Sequence, residues 1–206
     1  LLGKCYRGFK PNLPASSQAE RALQIEQGIK HAHSNNLFQL HYQPLLDTSG
    51  VIRGFEALLR WTDERMGAVS PESFIPVAEE KQLIIPLGNW VLETALRKLP
   101  ELKTAQGEEL FLTINISAVQ LEYHNFLSTL ENILHRTGTD PGRIKLELTE
   151  TNIMNTPEQS IATLRELKKR YPDIEVMIDD FGTDFSSLSY LSSLPAEHRQ
   201  HSKRVR

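Results

Sequence analysis

Cysteine occurs once, at Cys5, so the chain cannot close an intrachain disulfide, a usage that fits a reducing compartment. No stretch approaches the roughly 20 consecutive apolar residues of a membrane span. The first residues also lack the charged, apolar and small-residue succession of a signal peptide. Positive charge is not in excess. Lys and Arg number 23 against 26 Asp and Glu, a formal net charge of −3. That balance gives no electrostatic case for a DNA or RNA polymer, or for an anionic membrane, as the main partner. Internal repeats and low-complexity segments are missing too. There is no initiator Met, so the chain is expected to begin inside a longer gene product. Together these absences predict a soluble globular domain of the cytoplasm. With 39% apolar and 24% charged residues it can build a core and is not compositionally disordered.

What is present is an alternation of patterns. Residues 1–17 read as a lead-in segment without helical or strand period. Ser17-x-x-Glu20 has capping-box spacing, and Ala19, Ala22, Leu23, Ile25 and Ile29 predict a helix to about His33. Phe38–Gln43 alternates apolar with polar residues as a half-buried strand does. Pro44 and the turn-prone Asp47-Thr-Ser-Gly50 separate it from a second run, Val51–Trp61, so an antiparallel hairpin is expected. Ser70-Pro71 opens a helix, and another is expected from Gly88 to about Lys103. Then come a strand at Leu110–Ile116, helical segments around 117–136, and a strand at Ile144–Leu148. A helix from Thr156-Pro157 to Lys169 and a strand at Ile174–Ile178 complete the series. Strands alternating with helices predict a largely parallel α/β sheet or barrel.

Oxygen-bearing residues recur where these strands end. The second strand carries Glu56 in Glu-Ala-Leu-Leu-Arg-Trp, with Glu56, Leu58 and Arg60 on one face by the period-two rule. The third carries Asn115, the fourth Glu147 and then Glu150, and the fifth ends in Asp179-Asp180. In a parallel barrel the C-terminal strand ends converge on one mouth. Hard oxygen donors gathered there suit Mg²⁺ or Mn²⁺ rather than Zn²⁺, and crowded carboxylates need a cation to stay ionised. Each residue alone also reads as a solvated group or a helix cap. Asp179-Asp180 before Gly182 could form a capped turn, and Asn115 could cap the next helix. The seven histidines carry no such pattern; His31 and His33 do not share a helix face.

Taken in order, Tyr42-Gln43-Pro44, Glu56-Ala-Leu-Leu-Arg-Trp61, Ser70-Pro-Glu-Ser-Phe-Ile-Pro76, Ala78-Glu79 and Asn115-Ile-Ser117 form a recognisable series. Glu147-Leu-Thr-Glu150, Asp179-Asp-Phe-Gly-Thr183 and Ser186-Ser-Leu-Ser-Tyr-Leu191 continue it. The series closely resembles the EAL domain family of bacterial cyclic-di-GMP phosphodiesterases, from about Gln18 to Pro195. The resemblance implies a TIM-like (β/α)₈ barrel with an antiparallel first strand, in keeping with the hairpin. It implies hydrolysis of cyclic-di-GMP to linear pGpG with Mg²⁺ or Mn²⁺, and residue roles follow by motif. Glu56, Asn115, Glu147, Asp179 and Asp180 match metal-coordinating positions, Glu56 and Asp180 being also the catalytic candidates. Arg60 matches a phosphate-contacting arginine and Gln43 a substrate-contacting glutamine. Glu150 matches a glutamate that steadies the loop after the Asp pair. A homodimer and an upstream sensory or diguanylate cyclase domain are partners expected alongside.

The sequence departs from the family after residues 18–195. The last twelve residues, from Pro195, hold four basic residues and one acid, so they carry +3 and leave −6 on the rest. The family's later lysine, glutamate and glutamine near the metal are not found, and Lys203 in this basic 196–206 tail matches no motif. The resemblance therefore implies an incomplete barrel with most activity lost, or a degenerate module that binds cyclic-di-GMP without cleaving it. A frameshift, a premature stop or a domain cut would each produce the change. An uncovered strand edge would favour association. Asp184-Phe185 also stands where the family has Gly-Tyr, adding charge and removing backbone freedom beside the Asp pair.

Overall fold

The computed structural model describes residues 15–149 and 157–179. β1 (Phe38–Leu46) and β2 (Ile52–Asp63) form the expected antiparallel hairpin. Asp47 builds its turn. Its carboxylate accepts from the Ser49 hydroxyl at 2.6 Å, from the Ser49 and Val51 amides, and from Arg53 Nε at 2.8 Å. These bonds, Ser49's first and Arg53's next, hold the Asp47 carboxyl well below the ordinary carboxylate range. Gly50 takes φ of +83°, a backbone that disfavours a Cβ.

Pro44, expected to end the first strand, lies inside it. Among the described residues β1 pairs only with β2, and such an edge tolerates a residue without an N–H. A strand that the sequence pattern does not announce, β3 (Gly67–Val69), folds back on the far end of β2. β4 (Phe111–Asn115), β5 (Ile144–Thr149) and β6 (Glu175–Asp179) then add in parallel, giving the order β1-β2-β4-β5-β6.

Among the described residues six α-helices accompany these strands: α1 (Ala15–Ser34), α2 (Pro71–Glu80), α3 (Ile84–Lys98), α4 (Ala118–Glu122), α5 (Phe126–Thr137) and α6 (Pro157–Arg170). Two differ from expectation. α1 begins at Ala15, so Ser17 stands in its first turn rather than at its cap; Ala15 and Ser16 accept helical backbone and the turn starts upstream. α3 starts at Ile84, ahead of Gly88, because Pro86 falls in the first turn, where a missing N–H removes no helical bond. It gives way after Lys98 to a short 3₁₀ turn, Leu99–Glu101.

The pleat sorts the strands into two faces. Leu40, Tyr42, Phe55, Ala57, Leu59, Leu112, Ile114, Leu146, Leu148 and Val176 all belong to the cluster in which α3, α5 and α6 are buried. A second cluster gathers α1, α2 and the start of α3 around Phe38, Trp61 and Phe74. There the Trp61 and Phe74 rings meet edge to face at 5.5 Å, and Gly28 lets α1 close on the indole, 2.7 Å from where a Cβ would stand. Full burial of such side chains contributes about 1.5–3 kcal/mol each. Arg143 ties the lower rim, donating to the carbonyls of Leu99, Leu102 and Leu110 at 2.8–3.1 Å. The result is a mostly parallel sheet with an antiparallel first strand and apolar helix packing on one face, part of a TIM-like barrel. Among the described residues no helix is long and apolar enough to cross a membrane.

Candidate functional site

The other face of the strands is polar, and the register stacks its residues in rows. Gln43 lies opposite Glu56, Glu56 pairs with Thr113, Thr113 with Lys145 and Lys145 with Glu175. One step toward the C-terminal ends of the parallel strands, Asn115 pairs with Glu147 and Glu147 with Met177. One step further, Thr149 pairs with Asp179, the last residue of β6. Gln43, Glu56, Asn115 and Glu147 therefore share the inner face within two adjacent rows.

Glu56 is 4% exposed and Glu147 7%, while Asn115 opens to solvent. Asn115 Nδ2 donates to Glu56 Oε1 at 3.0 Å. That bond fixes the amide and turns Asn115 Oδ1, its one ligand-capable atom, away from Glu56. Glu56 is not at the end of its strand, contrary to the simplest reading of the motif. β2 continues to Asp63 because β1 and β3 pair with its far half. The residue pairs instead with Thr113, one step below Asn115, within reach of the Asn115 amide. Arg60 lies four residues on, opposite Gln39, about 13 Å further along the strand. Its Nη1 donates to the Leu59 carbonyl at 2.9 Å. Asp180 and Glu150, with the Asp184-Phe185 departure, lie outside the described residues.

The donors brought together are all oxygens of two carboxylates and an amide, a set that fits a hard divalent cation and not a soft one. Among the described residues no three acid, imidazole or thiol side chains gather to hold a metal by themselves. Glu56 and Glu147 with Asn115 are thus a partial set. Burying two carboxylates this deeply is unfavourable without compensating charge or hydrogen bonds.

Sequence reasoning missed the floor under this set. Lys145 forms an ion pair with Glu175 and sits over the Phe111 ring, 4.1 Å from its centroid. The alternation Lys145-Leu-Glu147 carries that signal, since period two puts Lys145 on the face of Glu147. It also missed Glu79, whose contact with Ser117 joins α2 to the turn after Asn115.

Residues 26–198 match the family model described as EAL domain. The bifunctional diguanylate cyclase/cyclic di-GMP phosphodiesterase MucR of Pseudomonas aeruginosa is 34% identical over 94% of this chain and 28% of its own length. The cyclic di-GMP phosphodiesterase PdeR of Escherichia coli is 33% identical over 85% of this chain and 26% of its own. A solved structure of the PaMucR phosphodiesterase in complex with c-di-GMP superposes with a TM-score of 0.74 at 35% identity, covering 85% of this chain and 71% of that one. The EAL enzyme Bd1971, bound to cAMP and cyclic-di-GMP, gives a TM-score of 0.76 at 34% identity over 90% of this chain and 50% of its own. The chain spans about a quarter of the length of the curated relatives it matches, between 22% and 28%.

Proposed function

The chain belongs to the EAL domain family, and on that premise we propose that it hydrolyses one phosphodiester bond of cyclic-di-GMP to linear pGpG. The observation that carries this reading is the buried Glu56 carboxylate bonded to Asn115, with Glu147 in the neighbouring register position. In this reading Glu56, Asn115 and Glu147, joined by Asp179 and Asp180, hold Mg²⁺ or Mn²⁺. A divalent ion so held polarises a phosphate and lowers the pKa of a bound water. Asn115 and Glu56 hold one another in place through their 3.0 Å bond, so neither side chain has to be ordered afresh when a ligand arrives. Gln43, directly opposite Glu56, contacts the substrate beside the ion. Arg60 offers a planar fork of donors to a phosphate further up the same face. Glu150 steadies the loop that carries the Asp pair.

The same reading assigns the chain to the cytoplasm, as a homodimeric part of a longer signalling protein with a sensory or diguanylate cyclase domain upstream. Its quarter share of its relatives' length and the two activities in MucR's name support that context.

The test is to incubate the chain with cyclic-di-GMP and Mn²⁺, resolve the products by chromatography, and measure binding separately in Ca²⁺. Weak formation of pGpG is expected, since the residues after Pro195 do not carry the family's later lysine, glutamate and glutamine, and Glu56→Ala should reduce it by a further factor of about 10–100. Binding in Ca²⁺ with no pGpG in Mn²⁺ would overturn the hydrolytic reading in favour of a non-catalytic binding or regulatory module. Neither binding nor turnover would overturn both.

A further inference from the structure

Glu79 belongs to α2, outside the oxygen-donor set, yet it is tied to it through the turn between β4 and α4. Its Oε1 accepts the Ser117 hydroxyl at 2.6 Å across 38 residues of sequence. The Ser117 hydroxyl has one proton to give. With that proton committed to Glu79, its oxygen accepts the Val119 amide at 3.2 Å and caps α4. The Ser117 amide donates to Gln120 Oε1 at 3.1 Å, closing the capping box. Gln120 reaches this place only because position 88 is glycine; a Cβ on α3 there would fall 2.0 Å from Gln120 Nε2. On the other side, the Ile116 amide donates to the Glu147 carbonyl at 2.8 Å. Asn115 thus stands at the end of a turn held by α2, α3 and β5 at once.

We infer that Glu79 is a positioning residue for Asn115 and thereby sets the affinity of the site for a divalent cation; this rests on the function proposed above. An ionised acceptor makes the Ser117 hydroxyl bond short and strong. Removing the acceptor releases the hydroxyl rotor, relaxes the turn and lets Asn115 leave its bond to Glu56. A ligand is effective only when held to within about 0.5 Å, and loss of a supporting contact behind a metal ligand costs about 10–100-fold in affinity.

The experiment titrates the metal-free chain with Mn²⁺, reading unbound Mn²⁺ by electron paramagnetic resonance. The native chain is compared with Glu79→Ala, Glu79→Gln, Ser117→Ala, the Glu79→Ala/Ser117→Ala pair and Asn115→Ala. Glu79→Ala should weaken Mn²⁺ binding about 10-fold. Glu79→Gln, which keeps an oxygen acceptor, should stay within about threefold of the native chain. Ser117→Ala should match Glu79→Ala, and the pair should lose no more than either alone, as two ends of one contact do. In turnover, the Glu79→Ala defect should be recovered by excess Mn²⁺ with KM for cyclic-di-GMP unchanged. Native Mn²⁺ affinity in Glu79→Ala, with affinity lost in Asn115→Ala, would overturn this inference and leave the proposed function standing. Additive losses in the pair would do the same. A native chain that binds no Mn²⁺ would overturn the site itself, and this inference with it. Should Glu79→Ala lose the fold, Ser117→Ala carries the same comparison.

Discussion

Glu56 and Ala57 are neighbours in β2 and equally buried, at 4% and 3% exposure, but they begin rows of opposite character. One row runs Ala57–Ile114–Leu146–Val176 beneath the helices, and the other Glu56–Thr113–Lys145–Glu175 on the inner face. The backbone bonds are common to both, so the difference lies entirely in side chains. An apolar row is stabilised by leaving water, whatever apolar group lies next to it. A polar row is stabilised only as a set, since each member costs free energy to desolvate until a partner is in place. The outer face is therefore tolerant in composition and sensitive to volume. The inner face is tolerant in volume and sensitive to the removal of any one partner.

Breaking the inner row should give the largest loss. Lys145→Met removes the cation paired with the half-buried Glu175 carboxylate and breaks the ion pair of the inner row, so a loss of about 3–5 kcal/mol is expected in urea unfolding. The double variant Lys145→Met/Glu175→Leu should recover most of it, because a packed apolar pair replaces a buried ion pair at little net cost. A double variant as unstable as the single would mean that the two faces do not differ in the way described. The outer row comes next. Leu146→Ala leaves a cavity under the helices and should cost about 2–5 kcal/mol, with no recovery from any single polar change on the inner face.

The smallest effect is expected at the exposed hairpin turn, outside both rows. The Asp47 carboxyl is depressed in the folded chain by Ser49 and then Arg53, so it adds stability above its unfolded pKa of about 3.9. That contribution falls away as pH drops through the lower folded value. Asp47→Asn should thus melt slightly below the native chain at pH 7, and the gap should close in acid. A gap that widens on acidification would reverse the sign of the argument.

The sequence pattern makes the hairpin, the alternation of strands with helices and the polar face of β2 legible, because period-two alternation and Gly or Pro punctuation are local signals. Pro44 escapes it, since whether a proline ends a strand depends on whether that strand is an edge. β3 escapes it because three residues are too few to show a period, and its pairing belongs to the far end of β2. Within the site, Glu56, Asn115 and Glu147 are individually legible from their motifs, but the two adjacent rows that bring them together are a property of parallel register, which no local signal encodes. The hydrogen bond between Glu79 and Ser117 is hidden for the same reason: each lies in a recognisable motif, and 38 residues separate them. Asp180 and Glu150 lie beyond the described residues, so their motif roles remain part of the proposal.

The length of β2 has a consequence for binding. Beyond β4 it continues as the middle of a three-stranded ribbon, with Gln39 across from Arg60 on one side and Val69 across from Trp61 on the other. Arg60 is consequently carried by paired strand and not by a loop. A loop-borne guanidinium surrenders backbone as well as side-chain freedom at every encounter with a phosphate, about 1–2 kcal/mol for each residue fixed. On a ribbon the backbone share is settled once, when the chain folds. On the proposed reading of Arg60 as a phosphate contact, only the rotamers of one side chain would be left to be ordered on binding.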